Sequence, residues 1–208
     1  MVVFAINSFS QEFYLNSLDN LIEEIKRLMS EKYEFNTDYH IVCGIGGCKE
    51  NCLKCEGGII KIMINKNLSD HNIYSAVEMA YNNKMIPGNF SQHTWMMIHD
   101  TTWPHEKTFV ERVTRIMQRP LPDGWIFAHT LGLYNLGICS LSFILTRAKD
   151  WLGIDNLPKQ AGIYIETGRG TIVDDIRLMP LRMYSQLTLA KIDHTGSILN
   201  DPLEMDFI

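Results

Sequence analysis

Thr94-Trp-Met-Met-Ile-His-Asp-Thr-Thr-Trp103 is the stretch on which the fold turns. Trp95 to Ile98 is a short apolar run of the kind that forms a buried strand. It ends abruptly in four polar residues, His99-Asp100-Thr101-Thr102. A carboxylate just past the carboxyl end of a central strand stands where open α/β sheets keep their ligands. The plainer role for Asp100 is a cap on the next turn, because Asp ahead of a Pro-opened helix is common.

Upstream of that strand the pattern alternates. Val2-Val-Phe-Ala-Ile6 is a continuous apolar run, hence a buried strand that breaks at Asn7-Ser8. Ser17 is a good N-cap for a helix whose apolar positions are Leu18, Leu21, Ile22, Ile25, Leu28 and Met29. Residues 30–38 are polar and read as a loop. Tyr39–Cys43 is a second strand ending in Gly44-Ile-Gly46-Gly47, and Ile59–Ile64 a third. The glycines lack the third spaced Gly of a dinucleotide fingerprint, so they let the backbone turn or let a base or ribose approach. Ser69-Asp70 precede a helix with Ile73, Ala76, Val77 and Ala80 on one face. Strands alternating with amphipathic helices predict an α/β fold, a mixed, mainly parallel sheet flanked by helices.

Downstream, Pro104 suits the first position of a helix with Phe109, Val110, Val113, Ile116 and Met117 on its apolar face. Pro120-Leu-Pro-Asp-Gly124 is the clearest break in the chain. Trp125–His129 reads as a strand, Gly132–Cys139 as a Gly-interrupted strand or loop, and Ser140 as the cap of a helix. Residues 163–170 form a turn, and Thr171 caps a last helix that begins at Ile172 and ends near Pro180.

The chain has 208 residues, 46% hydrophobic and 21% charged, with a net charge of −5. Those values suit one globular domain over 1–208. Scattered Lys and Arg argue against a nucleic-acid partner. No apolar run approaches the roughly 18 residues of a membrane span. The N-terminus runs straight into a strand pattern without a charged n-region, which predicts no signal peptide and a cytoplasmic location. Five cysteines include Cys43, Cys48, Cys52 and Cys55, a C-x4-C-x3-C-x2-C spacing compatible with zinc or an iron–sulfur cluster. Cys43 belongs to a strand, so the other three would have to fold back onto it. Free thiols in a reducing compartment are therefore the default, with Cys48, Cys52 and Cys55 in a loop.

Taken together, the strand ending in Asp100, Gly132-Leu-Tyr-Asn-Leu-Gly137 and Glu166-Thr-Gly-Arg-Gly-Thr-Ile-Val-Asp-Asp175 resemble a small nucleotide-sugar glycosyltransferase of the GT-A type. The compactness is similar to the glycosyltransferase domains that chlorovirus-type large viruses encode; for a viral chain the cytoplasm would be the host's. In that family such a strand ends in Asp-x-Asp or a reduced form, whose carboxylate holds a divalent cation against the donor diphosphate. Here Thr102 stands where the second Asp would be. The resemblance implies a Rossmann-like GT-A sheet, with a donor half over 1–103 and an acceptor half over 104–208. It implies a hexosyl- or deoxyhexosyl-transferase, a nucleotide-diphosphate sugar donor and a glycan or other hydroxyl acceptor.

It also implies roles for residues. Asp100 holds Mn²⁺ or Mg²⁺, with His194 or His99 completing the shell, and both ions suit oxygen ligands. Asn7, Ser8, Gly46 and Gly47 meet the base and ribose, and Arg169 meets a phosphate or an acceptor hydroxyl. Trp103, Tyr134 and Asn135 meet the acceptor, and Trp125 is a further ring that could stack on a sugar. Glu166, Asp174 and Asp175 are candidates for the general base, with Asp175 preferred and Asp174 serving the helix N-terminus. Two other classes stay open. One is a four-cysteine zinc-binding interaction module; the other is a Mg-dependent phosphate-ester hydrolase or nucleotidyltransferase built on Asp100.

Overall fold

The computed structural model describes residues 1–67, 72–88, 93–104 and 109–118, and five short strands beyond them, 125–128, 137–139, 177–178, 189–192 and 198–199. The first strand, β1 (Val2–Phe9), is buried on both faces, which is why its sequence is a continuous apolar run rather than an alternating one. Val2, Phe4 and Ile6 face one core, Val3 and Ala5 the other. Helix α1 (Glu12–Met29) covers the first face and buries Leu18, Leu21, Ile22, Ile25, Leu28 and Met29. It begins a turn and a half before Ser17, at an extended Gln11 that makes no side-chain cap bond. Ser17 is thus a buried interior residue and not the cap. The packing of Leu15 and the Phe9–Tyr14 and Phe13–Tyr14 ring contacts set the start instead.

Strand β2 (Tyr39–Gly46) pairs parallel with β1 and runs three residues past the predicted end at Cys43. β3 (Cys52–Glu56) and β4 (Ile59–Ile64) form an antiparallel hairpin. β3 replaces the loop expected there. Gly57 and Gly58, both at positive φ, make the two-residue turn that suits such a hairpin. Helix α2 (Asn72–Asn82) packs Ile73, Ala76, Val77 and Ala80 on the second face. Strand β5 (Thr94–His99) then returns beside β1, parallel to it.

Beyond β5 the chain departs from expectation at Pro104. It closes a short strand, β6 (Thr102–Pro104), rather than opening a helix, and α3 (Phe109–Gln118) starts five residues later. An edge position tolerates proline, which has no N–H to offer a ladder. β7 (Trp125–Ala128), β8 (Gly137–Cys139) and β9 (Arg177–Leu178) extend the main sheet. β10 (Leu189–Ile192) and β11 (Ile198–Leu199) join β6 in a second one. Arg177–Leu178 pair with β7, so the helix expected from Ile172 to Pro180 gives way to a strand at its end.

The main sheet has the order β3-β4-β2-β1-β5-β8-β7-β9, and β11-β10-β6 form the second. The four central strands β4, β2, β1 and β5 are all parallel, while β3 and β8 run against their neighbours. With α1 and α3 packed against one face of the central strands and α2 against the other, the fold is α/β with a mixed sheet. No helix among the described residues is long and apolar enough to cross a membrane.

At the amino edge of this sheet lie two buried histidines, His40 and His93. Burial, aided by the amino terminus and His40, pushes the His93 imidazole down to about 4; burial also lowers His40. In the unfolded chain both titrate near 6.5. Between those values the unfolded state binds protons that the native state refuses. Stability is therefore complete above pH 6.5 and falls as pH drops toward 4. The slope is at most about 1.4 kcal/mol per pH unit for each histidine. Melting curves from pH 7.5 to 4.5 should show the decline, and His93→Asn should flatten it. An unchanged slope in that variant would remove His93 as the cause.

Candidate functional site

β1 lies between β2 and β5. The chain leaves β1 through α1 to build β2 and β4 on one side, then returns through α2 to place β5 on the other. The strand order reverses at the β1–β5 boundary, and in open α/β sheets the crevice beyond the carboxyl ends at such a reversal is where ligands bind. The residues that end there are Asn7 and Ser8 of β1, Gly46 of β2, and His99 of β5 followed by Asp100.

Two side-chain pairs tie β1 to β5. Asn7 and His99 are register partners, and the Asn7 amide lies 3.5 Å from His99 Nδ1. One step further, the Asp100 N–H donates to the Asn7 carbonyl at 3.0 Å, and the Ser8 hydroxyl donates to Asp100 Oδ2 at 2.8 Å. Successive residues of a strand face opposite sides. Asn7 and His99 therefore lie on the α2 side, and Ser8 on the α1 side with Asp100 beside it. Asp100 is 3% exposed. β1 is also bound to β2, because the Ser10 N–H donates to the Gly46 carbonyl at 2.9 Å and its hydroxyl donates to the Gly47 carbonyl.

Asn7 and Ser8 lie inside β1, not past its end, and the Ser8 hydroxyl is turned toward Asp100. The glycines also differ from expectation. A Cβ on Gly44 would come within 2.6 Å of the Asn72 carbonyl oxygen, and one on Gly46 within 2.3 Å of the Asn72 side-chain amide. Gly47 has φ +73, and a Cβ there would meet the Phe9 ring. The space on the Cβ side of Gly46 and Gly47 is thus filled by protein. They let α2 and Phe9 sit close to the sheet. Gly44→Ala should cost about 1–3 kcal/mol, since a backbone carbonyl cannot swing aside as a side chain can. Urea unfolding measures it; wild-type stability in that variant would mean that α2 shifts freely.

Thr102, at the place of a second Asp, is buried, and its Oγ1 has no hydrogen-bond partner among the described residues. β10 runs antiparallel to β6 with Lys191 opposite Thr102, so Ile192 ends beside the Asp100–Thr101 turn. β8 starts at Gly137 opposite Met97, at the same end of β5. Trp103, half-buried in β6, lies opposite Ala190. Tyr134, Asn135, Glu166, Arg169, Asp174, Asp175 and His194 lie outside the described residues. So do the turn at 120–124, the helix from Ser140 and the turn at 163–170.

The four cysteines do not converge. Cys43 is sealed in the core under α1, and burial pushes its thiol up to about 12, away from the thiolate that a metal needs. Cys52 and Cys55 sit three residues apart on β3 and face opposite sides of the sheet. Cys52 contacts Met63, and Cys48 contacts the Ile45 carbonyl, its thiol also raised by burial. Cys52 and Cys55 thus lie in a strand, not the loop expected. Among the described residues no three His, Cys, Asp or Glu side chains form a group that could hold a metal ion. Sequence reasoning found Asp100 but missed the Ser8–Asp100 pair and Asn72, both products of strand register. Set against protein-family models, curated proteins and solved structures, the chain matches none of them.

Proposed function

We propose that the protein is a metal-assisted glycosyltransferase of the GT-A type, moving a sugar from a nucleotide-diphosphate donor to a hydroxyl acceptor. The observation that carries this reading is Asp100, a carboxylate held by Ser8 at the carboxyl edge where the strand order reverses. The mixed, mainly parallel sheet is the α/β arrangement that the alternation of strands and helices predicts.

The residues fit a hard cation. Asp100 supplies carboxylate oxygen, and the Thr102 hydroxyl is a buried oxygen with no protein partner among the described residues. Mn²⁺ and Mg²⁺ accept such ligands and take the rest of their shell from diphosphate and water. Asp100 would hold the ion, and His194 follows β10 by two residues; His99, expected to share the shell, sits on the other side of the sheet beside Asn7. When bound, the cation offsets the charge that develops on the leaving diphosphate. The protein's own part is to keep Asp100 in place through the paired ends of β1 and β5.

For the acceptor side, Asp175 is the general base, with Glu166 and Asp174 the other candidates. Trp103, Tyr134 and Asn135 stay with the acceptor, and Arg169 with a phosphate.

The test is a thermal-shift screen of nucleoside diphosphates with and without Mn²⁺, since a ligand that binds only the native state raises the melting temperature. A metal-dependent rise supports the reading. Turnover of a simple phosphate ester or nucleoside triphosphate without any sugar acceptor would assign Asp100 to hydrolysis or nucleotidyl transfer instead. No metal-dependent shift with any nucleotide would remove the glycosyltransferase.

A further inference from the structure

We infer that Ser8 is the positioning residue of Asp100, and that its hydroxyl serves the carboxylate rather than the nucleotide. The inference rests on the reading that Asp100 holds the cation. The two residues are 92 positions apart in sequence and lie on adjacent parallel strands, on the same face of the sheet. Ser8 is 3% exposed, as is Asp100. The Ser8 hydroxyl already donates to Oδ2 at 2.8 Å, which commits its one proton to the carboxylate. That bond restricts rotation of the Asp100 carboxylate while the Asp100 N–H, bound to the Asn7 carbonyl, fixes its backbone.

The direction of donation matters. An O–H pointed at the carboxylate stabilises its charged form, the one a divalent cation requires. The bond also leaves one carboxylate oxygen oriented by the other. Hydrogen-bonding partners of this kind set ligand orientation, and losing one typically weakens metal binding about 10–100-fold. Ser10 keeps β1 aligned with β2 through two bonds of its own, so removing the Ser8 hydroxyl leaves the strand's other ties in place.

The experiment is a Mn²⁺ titration followed by electron paramagnetic resonance of the free ion. It uses the full chain well below its melting temperature, with and without nucleoside diphosphate. Wild type is compared with Ser8→Ala, Ser8→Cys, Ser8→Thr and Asp100→Asn. Ser8→Ala should weaken Mn²⁺ by about 10–100-fold, and Ser8→Thr, which keeps the hydroxyl, should restore wild-type affinity. If Ser8→Ala does not fold, Ser8→Cys decides, because a thiol of similar size is a poor donor. Metal-free nucleotide binding should be the same in all the Ser8 variants. The inference alone is overturned if wild type binds Mn²⁺, Asp100→Asn does not, and Ser8→Ala and Ser8→Cys match wild type. It is equally overturned if metal-free nucleotide binding falls in those two variants while Mn²⁺ affinity holds. No Mn²⁺ uptake by the wild type, with or without nucleotide, removes the glycosyltransferase reading and this inference together.

Discussion

Asp100→Asn is expected to fold as the wild type does and to lose the metal-dependent part of donor binding altogether. Asn has the same shape, and its carbonyl oxygen can still accept the Ser8 hydroxyl that Oδ2 accepts at 2.8 Å. The loss is the negative charge and one oxygen ligand. At a nucleotide concentration 100 times the dissociation constant, the wild type should gain about 2.7 kcal/mol of stability. For a chain of this size that is a rise of about 5–10 °C in melting temperature. In the variant the Mn²⁺-dependent increment should vanish, leaving any metal-free contribution. An equal Mn²⁺-dependent rise in both proteins would reduce Asp100 to a cap on the turn after β5.

The second large effect concerns the acceptor. Attack by direct displacement needs a base within hydrogen-bond reach of the acceptor hydroxyl, and such groups contribute about 10²–10⁴-fold. Asp175→Asn should bind donor normally yet lose transfer by about that factor. Hydrolysis of the donor by water should survive better, because water needs no acceptor subsite. Glu166→Gln and Asp174→Asn are the comparison. Full transfer in all three variants would leave the acidic segment without a catalytic part.

What the sequence determined by itself was local. Val2–Ile6, Tyr39–Cys43, Ile59–Ile64 and Trp95–Ile98 are apolar runs too short for helices, and each is a strand. The helical spacing from Leu18 to Met29 and from Ile73 to Ala80 fixed which faces are buried. Asp100 stood out because it follows the end of such a run, where open α/β sheets keep their ligands. The boundaries were less evident: a helix needs no cap where packing holds its first turn, and Pro104 fits an edge strand as well as a helix start.

The tertiary structure decided what depends on which strands become neighbours. Asp100 acquires Ser8, and His99 acquires Asn7, only because β5 returns to the side of β1 away from β2. Gly44 and Gly46 look like a ligand loop in sequence and prove to be the seat of Asn72, because α2 crosses the end of β2 at backbone contact. Cys52 and Cys55 look like two ligands of one ion, yet an odd separation along β3 sends them to opposite faces. A period of two residues is written in the chain. The partner that each face meets is set by register across strands dozens of residues apart, and no local signal carries it.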